Sequence, residues 1–115
     1  MHIVRVLVPA AVAVGVLLGC GGAFAASAEK GKEAFVKHGC WGCHGFLGQG
    51  AATGPKLGPD PLPIEAFTAF VRTSNRAMPP YGEAILSNED LADIHAYLQT
   101  VPKPKDSKSI PLLNQ

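Results

Sequence analysis

The sequence predicts an all-α domain built on three main helices. Three segments, Glu29 to His38, Pro63 to Arg72 and Ser87 to just before Pro102, place apolar residues at helical spacing. The stretches between them are rich in glycine and proline, which punctuate helices rather than extend them. No flanking segment alternates apolar and polar residues as a half-buried strand does. At 115 residues the chain is long enough for one small domain, and it shows no internal repeat.

Residues 1–28 read as an export signal. Arg5 supplies the positive start, Val6 to Leu18 an apolar run broken only by Pro9 and Gly15, and Ala23-Phe24-Ala25-Ala26-Ser27-Ala28 the small residues of a cleavage region. Cleavage after Ala25, Ala26 or Ala28 fits the small-residue preference. The apolar core falls short of the roughly 20 residues a spanning helix needs, so no membrane span is expected. Leu17-Leu18-Gly19-Cys20 resembles a bacterial lipoprotein cleavage box, which makes a lipid anchor at Cys20 the alternative to discarding Cys20 with the signal. On either reading the destination lies outside the cytoplasm, in the periplasm.

The first helix, Glu29 to His38, carries Gly31 and Phe35 on one face at i, i+4. Glycine inside a helix costs about 0.5–1 kcal/mol relative to alanine, so Gly31 predicts close approach by another helix. Gly39 then releases the chain. Residues 45–63 form a loop in which Pro55, Pro59, Pro61 and Pro63 bar a long helix, and packing against something else is expected to impose its structure. In the second helix Pro63 suits the first turn and Glu65 the positive end of the dipole. Ile64, Phe67, Phe70 and Val71 form an apolar stripe read as core packing. The third helix opens on Ser87 with Asp90 three residues on, a variant of the capping box. Leu91, Ile94 and Leu98 follow at i, i+3 and i+7, with Tyr97 alongside. Residues 102–115 read as an extended tail.

Charge excludes one class of function. Arg5 is the only charged residue before Glu29, which leaves nine basic against nine acidic residues in the remainder. No basic surplus exists to bind nucleic acid. The sequence also lacks paired carboxylates in a recognisable loop, a Gly-x-Ser-x-Gly elbow and a phosphate loop, so hydrolytic chemistry has no machinery.

What it does contain is Cys40-Trp41-Gly42-Cys43-His44. This C-x-x-C-H spacing is the attachment pattern for a c-type haem. Each thiol can form a thioether to a haem vinyl group, and the adjoining imidazole then serves as proximal iron ligand. A methionine is a common sixth ligand, and Met78, in a loop beside Pro79 and Pro80, is the one methionine after the signal. His38 lies too close to Cys40 to cross to the other haem face, and His95 lies on the third helix beside its apolar stripe. Two other readings of the cysteine pair are weaker. A dithiol catalyst belongs in a βαβ context, and a zinc site would need two further ligands.

The order of these motifs resembles the class I (monohaem) cytochrome c family in its short bacterial form. The resemblance runs from Glu29 to Val101 and makes 29–101 the domain. Gly31-Lys32-Glu33-Ala34-Phe35 is similar to the family's N-terminal helix, Thr53-Gly54-Pro55-Lys56-Leu57 to its Gly-Pro-x-Leu loop, Met78-Pro79 to its sixth-ligand loop, and Tyr97-Leu98 to its C-terminal helix. It implies a cytochrome c fold with three helices wrapped around one covalently bound haem c. It further implies that Cys40 and Cys43 anchor the haem, that His44 and Met78 ligate its iron, and that the Pro55 carbonyl accepts a hydrogen bond from His44. Leu57 would pack on the haem face, and Gly31 and Phe35 would meet Tyr97 where the first and last helices cross. Arg72 and Arg76 are the arginines available for the propionates, with solvent-facing arginines the equal alternative.

The function this implies is one-electron transfer by a carrier rather than an enzyme. Arg76-Ala77-Met78-Pro79 is similar to small cytochrome subunits that accept electrons from periplasmic dehydrogenases. That resemblance implies a dehydrogenase as donor, with an oxidase or other redox protein of the respiratory chain as acceptor. The alternatives are a free shuttle to a terminal oxidase and a haem enzyme or gas sensor with an open iron.

Overall fold

A computed structural model of the chain describes residues 25–114. Four α-helices follow in order: α1 (Ala28–Lys37), α2 (Trp41–His44), α3 (Ile64–Thr73) and α4 (Asn88–Thr100). Among the described residues there is no β-strand, only an isolated bridge between Ala51 and Gly54. The all-α expectation and its three main helices therefore hold. The short helix α2 lies within the attachment motif, where four residues are too few to register as periodicity. The export segment lies outside the described residues up to position 24, Cys20 included.

The frame is the crossing of α1 and α4. Phe35 and Leu98 are fully buried there, together with Leu91, Ile94 and Tyr97. Burying each such side chain contributes roughly 1.5–3 kcal/mol. The Phe35 and Tyr97 rings meet tilted, with centroids 5.6 Å apart. Gly31 lies so close to the Asp93 carbonyl that a Cβ at position 31 would overlap it. The helix approach that Gly31 predicts is thus an approach to backbone, which no side-chain rearrangement could relieve.

Both helices are capped from their own sequence. The Ser87 hydroxyl accepts from the Asp90 N–H at 3.0 Å, as its spacing predicts. The Ser27 hydroxyl accepts from the Lys30 N–H at 3.3 Å. The Ser27 N–H in turn donates to the buried Asp93 carboxylate at 2.6 Å, tying the start of α1 to the middle of α4. Asp93 is a buried acidic residue standing outside the apolar stripe of α4.

α3 packs its Phe67 and Val71 inward, but Phe70 is 46% exposed. The stripe is therefore narrower than expected, and Phe70 departs from the core reading. The 45–63 loop packs on the helices, with Gly48 against Leu98 and Phe35 and Gly58 against Leu98 and Val101, and hydrogen bonds add to that packing. Gly50 N–H donates to the His44 carbonyl at 2.8 Å, and the Leu57 and Gly58 N–H groups both donate to the Gly48 carbonyl, at 2.8 and 3.1 Å. α4 ends at Thr100, before Pro102. The tail is exposed but not extended throughout. It forms two 3₁₀ turns, Ser107–Ser109 and Pro111–Leu113, joined by Asn114, whose Nδ2 donates to the Ser107, Lys108 and Ile110 carbonyls.

Candidate functional site

The end of α1 aims the attachment motif. Gly39 adopts φ 74°, the left-handed conformation that favours glycine, and its N–H donates to the Val36 carbonyl at 3.1 Å. The Cys40 N–H reaches back to the Phe35 carbonyl at 3.1 Å. These two bonds make a Schellman motif, which closes the helix and reverses the chain. Cys40 is thereby set at the start of α2, and the His44 N–H donates to its carbonyl at 3.0 Å. Cys40 and His44 share one face of that helical turn.

Cys40, Cys43, His44, Pro55, Leu57 and Met78 all line a single cavity of about 730 Å³. Its size falls within the roughly 300–1,000 Å³ usual for cofactor sites. The remaining walls are mainly apolar, with Phe35, Phe67, Val71 and Ile94 among them. Phe70 also lines it, which accounts for its exposure outside the core. Leu57 and Met78 are partly buried against the core.

His44 is held on one side. Its ring is buried, and Nδ1 lies 2.8 Å from the Pro55 carbonyl. A carbonyl only accepts, so Nδ1 carries the proton and Nε2 keeps the lone pair that a metal ligand needs. Gly54 makes this contact geometrically feasible. A Cβ there would come within 2.5 Å of the Cys43 carbonyl oxygen and 3.0 Å of His44 Nδ1.

Burial pushes the Cys40 thiol pKa up, and a backbone hydrogen bond only partly offsets it. A catalytic dithiol needs the opposite, a stabilised thiolate. Among the described residues no group of three or more His, Cys, Asp or Glu is placed to hold a metal ion by protein ligands alone. An all-helical setting and an apolar cavity therefore suit neutral thioethers to a haem better than either rival. The donor set and cavity fit that group.

His38 and His95 stay out of the cavity. His38 Nε2 lies 3.6 Å from an Asp90 carboxylate oxygen, and His95 Nε2 donates to the Leu62 carbonyl at 2.8 Å. The two arginines part company. Arg76 lines the cavity. Arg72 is turned to its own chain, with Nη1 donating to the Tyr81 and Leu86 carbonyls at 2.8 and 2.7 Å and Nη2 to Asn88 Oδ1 at 2.7 Å. Arg72 is thus committed to its own backbone rather than to a propionate.

A model of the family described as cytochrome C oxidase, cbb3-type, subunit III, matches residues 26–98, more than half of the chain. The chain belongs to this family. It is a c-type cytochrome with the cytochrome c fold, and it carries covalently bound haem c. Comparison with curated proteins and with solved structures returns no significant match. The role of this cytochrome is electron transfer, which fits a carrier rather than an enzyme. No described helix is long and apolar enough to cross a membrane.

Sequence reasoning missed the arginine's partners and the buried Asp93. Arg72 bonds to carbonyls 9 and 14 residues away. Backbone carbonyls carry no residue identity, so no sequence pattern announces them. An acidic residue at a core-facing helical position was the available signal for Asp93.

Proposed function

We propose that this cytochrome is an exported one-electron carrier that takes electrons from a periplasmic dehydrogenase and passes them to the respiratory chain. The observation that carries the electron-transfer reading is the meeting of His44 and Met78, from separate segments, in one cavity with both cysteines. When bound, the haem iron supplies the chemistry by cycling between Fe(II) and Fe(III). The chain's residues do the rest. Cys40 and Cys43 anchor the group, and His44 Nε2 provides the proximal ligand. The Pro55 carbonyl fixes the imidazole's orientation and raises its basicity. Met78 would supply the second iron ligand, and the apolar walls would keep water away. Arg76 and Lys56 both line the cavity and are the cations placed to meet a propionate. An export signal cleaved after Ala25 or Ala26, which leaves Ser27 in place to cap α1, delivers the chain to the compartment where the haem is attached.

The test is spectroscopic. Ferric holoprotein should show a methionine–iron charge-transfer band at the red end of the visible spectrum, and Met78→Ala should remove it. Reduced wild-type protein should not bind carbon monoxide at neutral pH. Ready binding would instead favour an open-iron enzyme or sensor.

A second reading makes the protein an electron donor to, or part of, a terminal oxidase. It is favoured by the description of the matched family, which names an oxidase subunit. Copurification from the native source separates the two readings, since each predicts a different companion.

A further inference from the structure

We propose that Arg72 and Ser74, at the end of α3, are positioning residues that hold the Met78 loop against the cavity. The inference rests on the reading of Met78 as sixth ligand and goes beyond it.

Met78 lies between two tethered points. On its near side Ser74, a polar residue only 7% exposed, donates its hydroxyl to the Met78 carbonyl at 2.8 Å. On its far side Tyr81 is fixed three times. Its N–H donates to the Val71 carbonyl at 2.9 Å, its carbonyl accepts from Arg72, and its hydroxyl donates to the His38 carbonyl at 3.2 Å. Pro79 and Pro80 stiffen the short span between. Arg72 also reaches the Leu86 carbonyl and Asn88, so one guanidinium ties the loop's middle to its exit and to the start of α4. Asn88 in turn donates to Glu83 Oε1 at 2.7 Å. The planar fork of arginine can span such acceptors at once, whereas a lysine ammonium on a flexible stem cannot reproduce its geometry.

A thioether is a weak donor with no charge to draw it to the iron. Its occupancy of the sixth position therefore depends on how firmly the loop is held. Removing the tethers raises the fraction of loop that has let go, and an added ligand then binds the vacated iron more tightly by the same factor.

The measurement is the dissociation constant of imidazole for the ferric holoprotein, titrated alongside thermal unfolding. Ser74→Ala should tighten imidazole binding roughly fivefold, the worth of one net hydrogen bond. Ser74→Thr, which keeps the hydroxyl, should restore the wild-type value. Arg72→Gln should tighten it on the order of fiftyfold through loss of charge-assisted bonds. Arg72→Lys should remain tighter than wild type, because keeping the charge does not keep the fork. Ala34→Gly on α1 should lower the melting temperature and leave imidazole binding unchanged.

The inference is overturned if Ser74→Ala and Arg72→Gln bind imidazole as the wild type does while Met78→Ala binds it freely. It is equally overturned if Ala34→Gly tightens binding as much as Ser74→Ala at the same loss of melting temperature. Should Met78→Ala bind imidazole no better than wild type, the axial reading of Met78 fails and takes this inference with it.

Discussion

Gly31 of α1 rests against the backbone carbonyl of Asp93 in α4, with no room for a Cβ between them. The same Asp93 accepts the Ser27 N–H through its side chain. One residue of the last helix thus holds the first helix by both its backbone and its carboxylate. Gly31→Ala gains about 1 kcal/mol in helix propensity but forces two backbones apart. We expect a net loss of roughly 1–3 kcal/mol, the usual scale of overpacking. Guanidinium unfolding of the holoprotein measures it, and an unchanged midpoint would show that the helices can separate freely.

Gly54→Ala should act on the iron through His44. The added Cβ presses on the Cys43 carbonyl and His44 Nδ1, and so weakens the bond to Pro55. A less basic imidazole stabilises Fe(III) less, so the reduction potential should rise. Only the part of the lost bond that favours Fe(III) over Fe(II) moves the potential, so a hydrogen bond of about 1 kcal/mol sets an upper bound on the order of 40 mV for one electron. Spectroelectrochemical titration reads it directly, and a fall in potential would contradict the tuning role of the Pro55 carbonyl.

Ser87→Ala removes the side-chain cap of α4, where the hydroxyl meets the Asp90 N–H. The expected cost is about 1 kcal/mol. Ser87→Asp should recover most of it, since an aspartate both caps and suits the dipole. Paired thermal melts of the two variants give the comparison.

Tyr97 predicts an alkaline effect. Its hydroxyl is buried without a hydrogen-bond partner among the described residues, and burial raises its pKa. The unfolded chain releases this proton near pH 10, while the folded chain retains it. Above about pH 10 the folded state therefore binds more protons, and stability falls as pH rises. Tyr97→Phe should remove that portion of the slope. At neutral pH it should be neutral or slightly stabilising, because it deletes an orphaned polar group. Melts between pH 8 and 11 test both statements; a variant that is clearly less stable at neutral pH would reveal a hidden partner for the hydroxyl.

The three main helices were legible because their signals are local. Ser87 and Asp90, Leu91 with Ile94 and Leu98, and Pro102 as a stop lie within one helix of each other. The candidate site was legible because each expected member belongs to a short pattern, from Cys40 to His44, around Pro55 and at Met78. What escaped reading depends on backbone geometry or on distance along the chain. α2 is too short for a period, and the carbonyls held by Arg72 belong to residues whose identity is irrelevant to the bond. Phe70 was misread because helical spacing locates a face but not its edge, and it stands where the core face gives way to the cavity. Gly31 announced that something came close without naming Asp93.

The Gly31–Asp93 contact has a consequence for the order of events in the cell. Its two partners sit near opposite ends of the domain, so the first helix has nothing to close on until the last has been synthesised. Before then Phe35 stands uncovered, while the cysteines already lie on the growing chain. A polypeptide cut short ahead of position 93 keeps every haem-attachment residue yet lacks the surface that shuts the domain. The residues that attach the cofactor and the residues that close the domain are therefore written into different stretches of the same message.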